Sequence, residues 1–187
     1  MEVTPTGFRD LYVCKPQIFK DSRGYFMESY NQRKLEQATG LHTHFVQDNQ
    51  SVSQYGVIRG LHMQMGAFGQ AKLVRCAHGK ILDVVVDMRT EEPTFGTHYA
   101  IELSEENQLQ LFIPRGFAHG FSVLSESAVF MYKCDQFYHQ ESEICMAYND
   151  PHLGIDWQIP THQQILSEKD KEGLDFKTAA AVIASHI

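Results

Sequence analysis

Short runs in which apolar and polar residues alternate, set off by turn residues, dominate the chain. Alternation with period two is the signature of strands that bury one face. "AKLVRCAHGKILDVVVDMR" carries it most clearly: Leu82, Val84, Val86 and Met88 share one side, Asp83, Val85 and Asp87 the other. His78-Gly79 sits where a hairpin turn is predicted between the two halves of that segment. Further strands are predicted in "GYFMESYN", "HFVQDNQSVS", "THYAIEL", "QLQLFIP", "HGFSVLS" and "AVFMYKCDQFY", with turns at "EEPTFG", "SEEN", "PRG" and "SES". Strands at this spacing predict an all-β protein: a sandwich, a barrel or a jelly roll. Helical pattern is confined to "NQRKLEQATG", with Gly40 as its C-cap, and to the C-terminal "FKTAAAVIASHI". The charged run "SEKDKEGLDFK" reads as a solvated loop. With no repeat, linker or low-complexity tract, residues 1–187 are expected to form one domain.

Charge narrows the partners. Sixteen lysines and arginines oppose 23 aspartates and glutamates, a net charge of −7, and no basic run interrupts the balance. Non-specific nucleic-acid binding and adhesion to anionic membranes both need a basic surface and are not expected. No apolar run approaches the roughly 20 residues of a membrane span, and "MEVTPTGFRD" carries no export signal. Cys14, Cys76, Cys134 and Cys145 are widely spaced, without a CxxC pair, as expected of buried thiols in a reducing cytoplasm.

Ten histidines raise the question of a metal. A metal-binding jelly roll offers two histidines two apart on a strand, with a carboxylate beyond. At His62, in "GVIRGLHMQMGAFGQ", the second position is Gln64 and no carboxylate follows, so no metal site is expected there. His42 and His44 have the right interval but lack an acidic partner, and an exposed strand start is the expectation.

General acid–base chemistry next to a carbonyl requires a base, a group to orient it, a donor for the enolate oxygen and an acid. His62 is a candidate base, with Asp170 or another carboxylate as its support. Lys72 of "GQAKLV" alternates with apolar Leu73 and is a candidate for the oxyanion; Tyr132 of "VFMYKCD" is a candidate acid. His119 lies between Gly116 and Gly120, small residues that let a ligand approach the backbone. Each of these side chains has an ordinary use in core packing or at a sheet rim, and spacing alone does not choose between the two. Arg23, Phe26, Glu28 and Tyr30 in one segment, and Phe137, Tyr138 and Glu143 in another, suit a phosphate and a nucleobase, or equally an edge strand with aromatic burial.

The motifs "FKDSRGYFMESYN", "FVQDNQSVSQYGVIRGLHMQ", "GQAKLVRCAHGKILDVVVDMRTEEPTFG", "LSEENQLQLFIPRGFAHGFSVLSE", "YKCDQFY" and "YNDPHLGIDWQIP...ILSEKD" follow one another in an order that resembles the dTDP-4-dehydrorhamnose 3,5-epimerases, from about residue 8 to residue 170. The resemblance implies a cupin-type jelly roll, a homodimer, and a reaction that needs no metal; no other cofactor is expected, and the cysteine pattern places the protein in the cytoplasm. The expected reaction is epimerisation at C3 and C5 of dTDP-4-dehydro-6-deoxy-D-glucose to dTDP-4-dehydro-L-rhamnose, in cell-surface deoxysugar synthesis. It implies His62 as base, Asp170 as its dyad partner, Tyr132 as the acid on the opposite face and Lys72 beside the C4 oxygen. Arg23, Glu28, Gln47, Asp48, Asn49, Arg59, Lys72, His119, Glu143 and Lys169 match substrate-binding positions, and Tyr138 the ring that stacks on thymine. The N-terminal segment, about residues 1–30, is expected to reach into a partner's site. Rival expectations are a 3-epimerase, an epimerase of a related 4-keto nucleotide-sugar, or a cupin that binds such a sugar without catalysis.

Three departures stand out: Met63 in place of an aromatic, "MGAFGQ" without a proline pair, and "EICMAYND" in place of a small glycine-containing stretch. Ile144 and Cys145 are expected to crowd the backbone after Glu143.

Overall fold

Extended segments that bury one side must stack, and in the computed structural model, which describes residues 1–186, they do so as two antiparallel sheets. The first, in spatial order, contains β1 (Glu2–Pro5), β2 (Tyr12–Lys15), β10 (Gln110–Ile113), β7 (Lys72–His78), β12 (Ser127–Cys134) and β5 (Gln47–Gln54). The second contains β13 (Glu143–Cys145), β6 (Ile58–Gln64), β11 (Phe117–Val123), β8 (Lys80–Asp87) and β9 (His98–Ser104). A separate hairpin pairs β3 (Ile18–Asp21) with β4 (Gly24–Met27). Helices are few, as expected: α1 (Gln32–Thr39), the single turn α2 (Glu168–Lys171) and the C-terminal α3 (Phe176–Ala184). Asn31 caps α1 by accepting from the Lys34 amide, and Gly40 closes it in the left-handed conformation at φ 73°. This is the all-β jelly-roll sandwich that the sequence implies.

Alternation sorts the faces. Val74, Cys76, Ile81, Val85, Leu111, Phe121 and Phe130 fill the space between the sheets. Leu82, Val84, Val86 and Met88 point the other way, into a second core with Trp157, Phe176 and Ile183 from the C-terminal segment. The strand β8 is therefore buried on both faces, and any polar residue it carries is taken from water.

The turn expected at His78-Gly79 is not a hairpin. β7 pairs with β10 and β12, whereas β8 pairs with β11 and β9, so the chain crosses here from one sheet to the other. Gly79 has φ 75° and a Cβ would sit 2.0 Å from the Ser127 carbonyl oxygen, which fits a corner pressed against the start of the neighbouring strand β12.

A second close approach sets the site. Where β6 meets β11, a Cβ on Gly60 would lie 2.6 Å from the Gly120 Cα and 2.7 Å from the His119 oxygen, and Gly60 has φ 119°. The ladder shifts register just past His119, which leaves His119 directly opposite His62. Gly60→Ala meets both a forbidden backbone conformation and a backbone clash, so a loss of about 3 kcal/mol is expected in urea unfolding. A loss below about 0.5 kcal/mol would contradict this account.

Candidate active site

The open end between the sheets gathers side chains from six elements. β6 supplies Arg59 and His62, β11 His119, β7 Lys72, β12 Tyr132, β5 Asn49, and the turn α2 Lys169 and Asp170, around a cavity of about 580 Å³. A neighbouring cavity of about 320 Å³ is lined by Gln47, Tyr138 and Glu143, and shares Asn49, His62, Lys72 and Tyr132 with the first. The two are parts of one cleft, with those four residues at the junction.

His62 Nε2 lies 2.7 Å from Asp170 Oδ1. The contact is short but bent, so that Nε2 has no aligned hydrogen bond among the described residues. Asp170 is nearly inaccessible and firmly held: the Gly60 amide donates to Oδ1 at 3.2 Å and the Ser167 hydroxyl to Oδ2 at 2.6 Å. Burial pushes this carboxyl up, but the close His62 imidazole and the bonds from Ser167 and Gly60 together hold it below the usual carboxylate range. It remains an anion beside the imidazole. The run "SEKDKEGLDFK" is therefore not simply a solvated loop. Ser167 caps its turn by accepting from the Asp170 amide, and the turn delivers Asp170 inward while Glu168 and Lys171 stay in water.

His119 forms a second pair, Nε2 to Asp83 Oδ2 at 2.9 Å, with both side chains buried. Asp83 Oδ1 has no hydrogen-bond partner among the described residues. Sequence reasoning placed Asp83 on a strand face but gave it no task. The available signal was a carboxylate in "ILDVVVD", a segment too apolar to have a wet face.

Lys72 and Tyr132 stand across the cleft, the ammonium 6.0 Å from the phenol ring centroid. Desolvation draws the Lys72 ammonium below the ordinary lysine range, against the opposing fields of Cys134, Asp83 and Glu143. Among the described residues it enters no ion pair. Burial pushes the Tyr132 phenol up, with the positive field of Arg59 working against it, so the hydroxyl keeps its proton at neutral pH. One nitrogen base with an anionic support, one cation without a partner and one phenol therefore surround a space large enough for a sugar ring.

The outer part of the cleft is polar. Tyr138 donates its hydroxyl to Glu143 at 2.8 Å and its amide to Gln47 Oε1 at 3.3 Å, Gln47 donates to Asn49 Oδ1 at 3.0 Å, and Lys169 pairs with Glu143. Arg59 donates to the Ser53 hydroxyl at 3.1 Å. The Tyr138 ring is half exposed and open to stacking.

Three candidates lie elsewhere in this chain. Arg23 sits at the tip of the β3–β4 hairpin, bonded to Asp21 at 2.6 Å, and Glu28 is held by Lys34 at 2.7 Å. Asp48 leaves β5 on the face opposite Asn49, where Lys133 Nζ bonds it at 2.7 Å. His42 and His44 are exposed in the segment before β5, ahead of the strand rather than at its start. The crowding expected at Ile144 and Cys145 does not occur. Ile144 turns into the core opposite Met63 and Cys145 stands opposite His62, so two of the three departures are cross-strand neighbours that pack together.

A family model described as dTDP-4-dehydrorhamnose 3,5-epimerase matches residues 5–178. An enzyme of that name from Pseudomonas aeruginosa is 49% identical over 179 residues, covering 96% of this chain and 98% of the relative. The crystal structure of the dTDP-4-dehydrorhamnose 3,5-epimerase from Elizabethkingia anophelis superposes with a TM-score of 0.92 at 56% identity, over 95% of this chain and 97% of that one. The dTDP-6-deoxy-D-glucose-3,5-epimerase from Legionella pneumophila, solved in complex with dTDP-4-keto-L-rhamnose, superposes with a TM-score of 0.93 at 44% identity, over 97% and 96% of the two chains.

Proposed function

This chain belongs to the dTDP-4-dehydrorhamnose 3,5-epimerase family, and we propose from that premise how its own side chains divide the work. The protein is an isomerase that inverts C3 and C5 of dTDP-4-dehydro-6-deoxy-D-glucose to give dTDP-4-dehydro-L-rhamnose. Both carbons flank the C4 ketone, so each proton is acidified by the enolate its removal creates.

His62 takes the proton from one face, and the resulting imidazolium is stabilised by the Asp170 anion at 2.7 Å. The Lys72 ammonium meets the C4 oxygen as it gains charge, and the Tyr132 hydroxyl returns a proton from the other face. The observation that carries this reading is the convergence of the His62–Asp170 pair, the unpaired ammonium and the protonated phenol on one cleft. Gln47, Asn49, Arg59, His119, Glu143 and Lys169 line the remaining wall and hold the sugar and diphosphate, and Tyr138 stacks on the thymine.

The same proposal covers assembly. The chain acts as one domain in the cytoplasm and as a homodimer, with residues about 1–30 lent to the partner's cleft. The β3–β4 hairpin supports this: Phe26 is 68% exposed, Phe19 and Tyr25 are each 54% exposed, and Arg23 lies between them on the tip. Apolar rings held in water on a projecting hairpin favour a protein neighbour. Arg23 and Glu28 then serve the partner's substrate, and Asp48, on the outer face of the edge strand, lies where that hairpin would arrive. No helix among the described residues is long and apolar enough to cross a membrane.

Incubation with the 4-keto sugar nucleotide in heavy water is expected to place deuterium at both C3 and C5. Label at C3 alone would make the protein a 3-epimerase, and binding without label at either carbon would make it a non-catalytic cupin.

A further inference from the structure

Beside the catalytic pair stands a third donor that epimerisation does not use. Cys145 is the cross-strand partner of His62 in the β13–β6 ladder, so the two side chains leave the sheet on the same face. Asp170 comes to the same point from α2. The imidazole, the thiol and the carboxylate each offer one donor atom, and these atoms all lie within 4.8 Å of one another. Three different elements thus bring nitrogen, sulfur and oxygen donors to one spot at the edge of the cleft. Moreover, His62 Nε2 is left without an aligned hydrogen bond among the described residues. The Cys145 thiol has only long contacts, to the Lys169 carbonyl at 3.5 Å and the Met146 carbonyl at 3.9 Å.

We propose that His62, Cys145 and Asp170 form a binding site for one Zn²⁺, and that the bound ion switches the epimerase off.

Zinc takes such mixed donors in tetrahedral geometry, with three from the protein and water in the fourth place. At bond lengths of about 2.0 Å to nitrogen and 2.3 Å to sulfur, two donors on one tetrahedral ion sit roughly 3.3–3.6 Å apart. The cluster reaches that spacing by shifts of about 1 Å or less in side chains at the cleft wall. Burial pushes the Cys145 thiol up to about 11, so without metal it is neutral. Binding forms the zinc–sulfur bond and releases that proton to solvent.

The inhibitory half of the proposal rests on His62 being the base. Because Nε2 is the nitrogen that faces Asp170, the carbon proton is taken by Nδ1. A neutral imidazole that gives Nε2 to zinc carries its one proton on Nδ1, so no lone pair is left for carbon, and Asp170 is committed with it. The effect is peculiar to chains with a donor at position 145, because His62 and Asp170 alone give two ligands, too few for a firm site. Neither histidine spacing nor local sequence reveals this site: its ligands come from a strand, a distant edge strand and a one-turn helix.

The test uses the full chain, freed of metal by a chelator that is then removed. Titration with ZnCl₂ against a fluorescent zinc chelator is expected to give one ion per chain, and Co²⁺ in its place a thiolate-to-cobalt charge-transfer band. Zinc is expected to abolish turnover, with recovery on adding EDTA. Cys145→Ala, and Cys145→Ser as a second variant, should keep activity within about twofold of the parent, lose the cobalt band and need at least about tenfold more zinc for inhibition. Equal zinc sensitivity in parent and variants, or absence of the cobalt band in the parent, overturns the site. Full activity with zinc bound overturns the inhibition. The stoichiometry and the cobalt band do not depend on turnover, so a failure of the epimerase reading would be seen separately from a failure of the site.

Discussion

His62→Ala is expected to lower kcat by about a thousandfold and to abolish deuterium exchange at both C3 and C5. The residue is the only base among the described cleft residues that carries an anionic support at the cleft junction, through Asp170 Oδ1 at 2.7 Å. Its loss removes both the acceptor for the carbon-bound proton and the means of sharing the resulting charge. Lys72 and Tyr132 remain in place to bind the ketone, so KM should change much less than kcat. The side chain is partly exposed and its backbone is fixed by the flanking pairs with β11 and β13, so circular dichroism and the urea midpoint should stay close to the parent's. Exchange at an undiminished rate in His62→Ala would pass the role of base to another group, and His119 would be the first to examine. His119 is the weaker candidate because its side chain is only 8% exposed and lines only the larger cavity, away from the junction where Lys72 and Tyr132 stand.

The difference between these two histidines shows how far the sequence could be read. Alternation gave the all-β class and the strands β4, β5 and β7 to β12, because burial of one face is a local property written every second residue, but not β1, β2, β3, β13 or the β6 strand that carries His62. It did not reveal that β7 and β8 lie in different sheets. A corner and a hairpin place the same alternating residues on either side of a glycine, and only the distant partners β10, β12, β11 and β9 distinguish them. The pairing of His119 with Asp83 has the same character: the residues are 36 apart and meet through a strand register that no window contains. Residue chemistry offered Asp170 only as one carboxylate among several, since a run of charges is ordinarily solvated. Resemblance to a family singled it out, and the structure gives the physical reason, a Ser167-capped turn that buries one carboxylate of the run. Met63 and Ile144 were legible as oddities but not as a pair, because that statement requires knowing that β13 lies against β6. Arg23, Glu28 and Asp48 matched motif positions, yet their side chains turn away from this chain's cleft to Asp21, Lys34 and Lys133. If they bind substrate, a second subunit must present it.

The second large effect is expected from Lys72→Met, which should reduce kcat by about 10²–10³-fold, or about 3–4 kcal/mol of transition-state stabilisation. Methionine keeps the length and apolar stem of lysine and removes only the charge. The loss therefore measures what the ammonium contributes to the oxygen at C4, where charge develops only as the proton leaves. Desolvation already draws this ammonium below the ordinary lysine range, which is the cost of holding a cation without an ion-pair partner in the cleft. Two consequences follow with defined signs. First, the variant should be as stable as the parent or more so, because an unpaired, half-buried charge is replaced by an apolar group; a site that serves catalysis commonly detracts from stability in this way. Second, between the lowered folded value of Lys72 and its unfolded value near 10.5, the unfolded chain binds more protons than the folded one. The parent therefore gains stability as pH rises through that window, while its turnover falls as the ammonium deprotonates. Lys72→Met should show neither the gain nor the alkaline fall. A variant that keeps most of its turnover, or that retains the parent's alkaline limb unchanged, would remove Lys72 from the oxyanion and assign the limb to the Tyr132 phenol, the other group at the cleft junction whose proton is lost at high pH.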